Sequence, residues 1–370
     1  MGLDAVFDGS NWARVPFHFW SLVIFWFGCM VGSFLNVCIH RMPLGLSVVS
    51  PPSHCPHCKY SIPWYLNVPL LTWLMLRGRC KNCHAPISVR YFLVELLTGL
   101  MFLAVWLNYG HVSAWVALVY CLFVAGLIAA TFIDFEHFII PDEITIGGTV
   151  GGFILSVCLP SLHGAATLPE AIKSSVIGIC VGGGVVYAIL RAGKLMFGRQ
   201  KVALPADTKI LFGESAVILP DKAIPYEELF YRKSDAIIIK ARTVEMVDRG
   251  YFNVEIRLSP EQLRIGEDDF NPETVKHLEA VSAEITLPRE AMGFGDVKFM
   301  AAIGAFLGWE ATMFSLMVSS MIGAAVGVLL IAIGRQQWSS RLPYGPYIAL
   351  AALLWLFGGR EVWTWFFTVR

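Results

Sequence analysis

Charge is scarce in this chain. Only 15% of its 370 residues are Asp, Glu, Lys or Arg, and the two signs cancel at 28 each. A net-neutral chain has no global basic field to recruit nucleic acid, so that class of partner is excluded. No lysine-serine or lysine-threonine ending follows any of its glycine clusters, which excludes a phosphate-cradling loop. No glycine-rich strand-to-helix fingerprint for a nucleotide-like cofactor is present, and neither a solenoid-like repeat nor a low-complexity run stands out. Asp4 and Asp8 precede the first apolar run where a positive segment would be expected, so that run reads poorly as a cleavable signal peptide.

What the chain does have is hydrocarbon: 56% hydrophobic residues and a mean hydropathy of +0.61, well beyond a soluble domain. Apolar runs long enough to cross about 30 Å of bilayer cover 17–39, 91–109, 112–133, 144–161, 171–190, 310–334 and 343–358. A shorter run, 297–309, is an eighth span or a partial helix packed against protein. Lysine and arginine near helix ends set the orientation. With the N-terminus outside, Arg41, Lys59, Arg77, Arg79, Lys81 and Arg90 fall in the cytoplasm, as do Arg191, Lys194, Arg199, Lys201, Arg335 and Arg341. Arg14, Lys173, Arg360 and Arg370 are left outside. Seven spans would put Arg335 and Arg341 outside, against this bias. The expected fold is therefore an α-helical polytopic membrane protein of about eight transmembrane helices. Gly147-Gly148, Gly151-Gly152 and Gly182-Gly183-Gly184 are expected to let helix backbones touch in lipid.

The chain divides by composition. Residues 1–39 hold an N-terminal segment and the first membrane helix, and 40–90 form a cytoplasmic loop. Residues 91–200 are membrane helices, 201–290 a soluble insert, and 291–370 membrane helices again. In the loop, Cys55-Pro-His-Cys58 and Cys80-Lys-Asn-Cys83 are separated by 21 residues. Two CxxC knuckles at this separation suit one tetrahedral zinc held by Cys55, Cys58, Cys80 and Cys83. Disulfides are the alternative, disfavoured by the reducing cytoplasm. His54, His57 and His84 flank the knuckles as solvated neighbours or substitute ligands. The other five cysteines read as small core residues. Ile62 to Leu76, interrupted by Pro63 and Pro69, is too short to cross and is expected to lie on the membrane or under the zinc knot.

The insert carries 17 of the 28 acidic residues and 12 of the 28 basic ones. Alternation over Val254 to Leu258, preceded by Val244 to Val247 and the turn candidate Asp248-Arg249-Gly250, predicts a hairpin. Asn271-Pro272 predicts entry to a short helix over Glu273 to Ala283. The insert is expected to be small, mainly β and concerned with structure or docking.

Asp134 and Asp296 stand out because each sits where an apolar run meets its flank, and carboxylates there usually mark a working site. The expected topology brings both to the cytoplasmic face. Two acids held close cannot both ionise easily, so one polarises a peptide carbonyl while the other takes a proton from attacking water. Gly293 and Gly295 clear space for an extended substrate beside Asp296, and Pro141 fixes the bend after Asp134. The bland alternative is that both acids cap helices or satisfy lysines such as Lys298.

These pieces, in order, resemble the type IV prepilin leader peptidases, bacterial membrane aspartyl proteases of the Gly-x-Gly-Asp type. The resemblance is carried by Gly32-Ser-Phe-Leu-Asn-Val37 with Arg41 and Pro43, the double CxxC, and Leu76-Arg-Gly-Arg-Cys80. Tyr91-Phe-Leu-Val-Glu95, Ile133-Asp134, Ile140-Pro-Asp142, Gly293-Phe-Gly-Asp-Val-Lys298, Gly304-Ala-Phe-Leu-Gly308 and Pro343-Tyr-Gly-Pro346 complete it. The resemblance implies that Asp134 and Asp296 are catalytic, and that the substrates are prepilins and type II secretion pseudopilins with a basic leader cut after glycine. It also implies N-methylation of the new terminus with S-adenosylmethionine, and Gly78 matches a glycine associated with that methylation. A bacterial inner-membrane location follows, with the membrane lipid and a secretion or pilus assembly component touching 201–290 as partners. Glu95 and Asp142 match family positions; a buried hydrogen-bonding role and a helix-start role are their plain alternatives.

Overall fold

The computed structural model describes residues 16–213, 215–220, 222–226, 229–230, 235–275, 277–288, 293–334 and 342–368. Asp4, Asp8, Arg14, Arg335, Arg341 and Arg370, on which part of the charge reading rests, lie outside the described residues. The chain forms two compact units, one of residues 1–187 with 294–370 and the other of Ala188–Gly293.

The first unit is helical. Uninterrupted apolar sequence makes α1, Phe17–Arg41, which closes on the basic His40 and Arg41, favourable company for the carbonyl end of a helix. The short α2, Leu71–Met75, lies in the following loop. Ser88 caps α3, Val89–Tyr109, by accepting the Arg90 N–H, and Ser113 caps α4, Ala114–His137, by accepting the Val116 N–H. Phe138 in a left-handed conformation stops α4, and Pro141 opens α5, Asp142–Cys158. Then come α6, Leu168–Phe197, which runs on into the second unit, and, beyond that unit, α7, Phe294–Ala332. The chain ends with α8, Gly345–Leu354, and α9, Arg360–Thr368. Among the described residues, five stretches combine the length and hydropathy needed to cross a bilayer: Phe17–Leu44, Val89–Tyr109, Ala114–His137, Leu168–Leu195 and Phe294–Ala332.

α7 is not one straight rod. Gly308 has φ 84° and ψ 178°, far from helical. Before it, the chain packs antiparallel to α6, with Met300 against Gly182 and Gly304 against Gly178. Gly308 itself reaches His163 and Ser174. After it, Phe314 meets Trp355, Ser319 meets the Tyr344 hydroxyl at 2.9 Å, and Gly323 meets Tyr347. The sequence of contacts runs from the Asp296 end to the far end and back again, so α7 is two arms reversing at Gly308. The Ala305 carbonyl, just short of the break, accepts the Ser156 hydroxyl at 3.2 Å and the Ser175 hydroxyl at 3.0 Å. His163 holds Ser156 at 2.9 Å through Nε2. In an apolar surrounding such a carbonyl needs these donors.

Close helix approach rests on fewer glycines than expected. A Cβ on Gly152 would press on Phe306 and Ala305, and one on Gly182 would strike the Met300 carbonyl. Gly147, Gly151 and Gly184 have open space around them, whereas Gly178 and Gly304 touch backbone to backbone.

The second unit is an antiparallel sheet. Its strands are β1 (Arg199–Phe212), β2 (Ala216–Leu219), β3 (Lys222–Pro225), β4 (Ile237–Met246), β5 (Gly250–Leu258), β6 (Leu263–Ile265), β7 (Asp268–Phe270) and β8 (Leu278–Pro288). The order is β3-β2-β1-β8-β4-β5-β6-β7. The expected hairpin is β4 against β5, with Ile239 opposite Ile256. Period-two burial builds the core from Ile210, Ile237, Ile239, Ile256, Ile265 and Ile285. The helix expected over Glu273 to Ala283 is a correction: Pro272–Thr274 makes a single 3-10 turn and β8 begins at Leu278. Leu278, Ala280 and Ser282 are buried on alternate positions between β1 and β4, and pairing on both sides overrides the local helical preference of Glu, His and Ala. β1 and β8, the strands by which the chain enters and leaves the sheet, are neighbours, with Arg199 opposite Pro288.

If the α6–α7 contact is backbone on backbone, Gly304→Leu should lower the thermal midpoint of the detergent-solubilised protein by an amount equivalent to about 1–3 kcal/mol or more. Gly147→Ala, in open space, should leave the same melting curve in place.

Candidate active site and four-cysteine cluster

Helix ends assemble the acidic site. Asp134 lies in the last turn of α4 and is 5% exposed. Its Oδ2 accepts the Gly345 N–H at 2.9 Å, so the carboxylate sits at the N-terminus of α8, where unpaired amides and the helix dipole favour negative charge. Gly345 has to be small: a Cβ there would stand 2.8 Å from that oxygen. Asp296 is in the first turn of α7 and 8% exposed.

Ile140 ties the two acids to one place. Its side chain packs on Gly345, which bonds Asp134, and on Gly295, which precedes Asp296. Asp134 and Asp296 are therefore held at the same end of the helical unit, around the short link between α4 and α5. Lys298 Nζ reaches Asp142 Oδ1 at 2.5 Å and lies 5.3 Å from the Phe294 ring centre. That pair joins the starts of α5 and α7. Arg90 and Glu136 pair likewise between the start of α3 and the end of α4.

Glu95 is buried in α3, where its Oε2 accepts the Leu70 N–H at 2.8 Å and its Cα lies against Gly32 of α1, beside Ser33. Gly78 has φ +65°, and a Cβ on it would stand 2.8 Å from the Trp73 indole, which in turn lies 5.2 Å from the Phe92 ring. Gly78 thus sets where Trp73 packs.

The four cysteines of the loop converge. Their sulfurs all lie within 4.8 Å of one another, with Cys55 to Cys83 at 3.8 Å and Cys58 to Cys80 at 3.9 Å. The two knuckles share one backbone plan. Cys55 O accepts from Lys59 N and Cys55 N donates to Tyr60 O; Cys80 O accepts from His84 N and Cys80 N donates to Ala85 O. Lys59 and His84 both take positive φ, and each knuckle is closed by one bridge, His54 to Ser61 and Arg79 to Pro86. Hydrogen bonding by the Asn82 side chain, then by the Tyr60 amide, lowers the Cys58 thiol to about 6. The Cys83 and Asn82 amides lower Cys80, whereas at Cys83 the Ala85 amide is outweighed by burial and the neighbouring sulfurs, which raise the thiol to about 12, a crowding of sulfurs that a bound cation would relieve. His54, His57 and His84 do not join the cluster.

Sequence reasoning missed two residues. Gly345 was visible only as part of Pro343-Tyr-Gly-Pro346 and Ile140 only as part of Ile140-Pro-Asp142, neither with a role of its own.

Set against known proteins, residues 26–109 match the Bacterial Peptidase A24 N-terminal domain, and residues 121–218 and 280–328 match the Type IV leader peptidase family. The chain belongs to the type IV leader peptidase family. It is 30% identical over 378 residues to a protein of Aeromonas hydrophila named Prepilin leader peptidase/N-methyltransferase, covering 96% of each chain. A protein of the same name from Myxococcus xanthus is 32% identical over 317 residues, 85% of this chain and 64% of that one. An Escherichia coli Type 4 prepilin-like proteins leader peptide-processing enzyme is 40% identical over 180 residues, 44% of this chain and 64% of that one. No solved structure matches the chain.

Protein purified under reducing conditions should carry about one metal ion per chain by elemental analysis. Cys80→Ser should release most of it and leave the remaining thiols open to an alkylating reagent.

Proposed function

We propose that this chain is a membrane aspartic endopeptidase that removes the leader of type IV prepilins and methylates the new N-terminus. One observation supports the reading: Asp134 and Asp296, distant in sequence, lie at one end of the helical unit on either side of Ile140, the Asp134 carboxylate bonded to the first amide of α8 and Asp296 in the first turn of α7. In this reading the two carboxylates share a proton. The ionised one removes a proton from water, whose oxygen attacks the scissile carbonyl while the protonated one donates to the carbonyl oxygen. Collapse expels the amine, which takes up the proton gathered from water. Gly345 orients Asp134, and the Lys298–Asp142 pair positions the start of α7.

Substrates are prepilins and type II secretion pseudopilins, cut after the glycine that ends a basic leader. The site faces the cytoplasm of a bacterial inner-membrane protein whose N-terminus lies outside. Eight spans are supported by the reversal at Gly308: α1, α3, α4, α5, α6, the two arms of α7, and α8. The domain limits proposed are 1–39, 40–90, 91–200, 201–290 and 291–370, with 201–290 docking a secretion or pilus assembly component.

The metal held by Cys55, Cys58, Cys80 and Cys83 is zinc, with a structural role. Sulfurs at the corners of a tetrahedron with bonds of about 2.3 Å stand about 3.8 Å apart, which is the spacing of the Cys55–Cys83 pair. S-adenosylmethionine supplies an electrophilic methyl group for the second activity. Gly78 serves that activity by placing Trp73.

Asp134→Asn or Asp296→Asn should each reduce leader removal from a co-expressed prepilin by at least about 10³-fold, while methylation of a pre-cut substrate persists. Full cleavage by both variants would sink the assignment. Cys55→Ser should reduce methyl transfer more than cleavage; equal loss of both would mark the metal loop as a general folding element.

A further inference from the structure

Beside the metal loop lies a cavity of about 550 Å³, inside the range of small-molecule sites. One wall is a single face of α1, made by Trp26, Met30, Ser33, Phe34, Val37 and Arg41. The opposite wall is the strap 48–53 together with Trp64 and the segment Asn67, Val68, Pro69. Arg41 lines the cavity, yet its guanidinium is engaged, donating to Ser47 O at 3.0 Å and Pro51 O at 2.8 Å. It therefore holds the strap closed.

Glu95 lies behind both walls. Its carboxylate accepts the Leu70 N–H, next after Pro69, from the second wall, and its backbone lies against Gly32, next to Ser33 of the first. Among the described residues no lysine, arginine or histidine pairs with it. A buried carboxylate without a cation is costly, and a positively charged occupant would relieve it. The walls ask in addition for an apolar or aromatic body, because each presents an indole, Trp26 on one and Trp64 on the other.

We propose that this cavity is the methyl-donor site, taking S-adenosylmethionine with its purine against the indoles and its sulfonium toward Ser33 and Glu95. The inference rests on the methyltransferase reading and locates it. The donor set fits: indole faces stack a purine and attract a cation, Asn67 and Ser53 offer hydrogen bonds at the rim, and the buried charge is of the right sign. An acyl chain would fill the apolar walls and leave the carboxylate unanswered.

The test uses the detergent-solubilised full chain and methyl-labelled S-adenosylmethionine, cross-linked by ultraviolet light and mapped by peptide. Label should fall within residues 26–69. Trp64 is 84% exposed, so Trp64→Ala should keep its metal content and melting curve while weakening equilibrium binding by about tenfold. Glu95→Gln retains an acceptor for the Leu70 N–H. It should erase the preference for the sulfonium donor over its uncharged thioether product, S-adenosylhomocysteine. Label elsewhere, or unchanged binding in both variants by an enzyme that methylates a pre-cut substrate, overturns the location alone. Wild-type protein that neither binds the donor nor methylates that substrate overturns the methyltransferase reading itself, and the proposal with it.

Discussion

A carboxylate at the edge of hydrocarbon has to be answered by hydrogen-bond donors that water no longer supplies, and the first unit is arranged around that requirement. The amide of Gly345 meets Asp134 at 2.9 Å, which requires α8 to start where α4 stops. That in turn requires the α4–α5 link to pass between them, and Ile140 occupies the place. Glu95 is answered in the same manner by the Leu70 amide. In both cases a backbone amide of a helix start is the donor, a fixed dipole that needs no reorganisation when charge moves.

The same requirement explains the break in α7. A reversal at Gly308 frees carbonyls of the first arm, and Ser156 and Ser175 bring hydroxyls to the Ala305 oxygen from two other helices. The first arm, which carries Asp296, is thereby wedged between α5 and α6, with Gly178, Gly182 and Gly152 allowing the contact. Asp296 opens this closely packed arm, which is buried at Val297, Phe299, Met300 and Ile303. Such packing leaves little room for the carboxylate to drift, a condition for precise placement of an attacking water.

Much of this was legible in the amino-acid order, and the rest was not for identifiable reasons. The knuckles are local chemistry: each uses six or seven consecutive residues, so spacing alone pointed to them. Asp134 and Asp296 were conspicuous because charge is rare in such surroundings. Gly345 and Ile140 matter through contacts with residues far away in sequence, and nothing near them announces it. Gly178 and Gly304 were overlooked in favour of denser clusters, of which Gly147, Gly151 and Gly184 meet nothing. The segment Glu273 to Ala283 has the composition of a helix, yet β8 is drawn into the middle of the sheet by partners on both sides.

That central position of β8 beside β1 has an architectural result. The second unit's first and last strands are paired with each other, Arg199 facing Pro288, so the sheet is closed at its own two chain ends. The family match itself skips residues 219–279, the stretch between those two strands. Lengthening, trimming or exchanging strands β2 to β7 alters what the sheet presents to its surroundings, while the pairing of β1 with β8 stays in place.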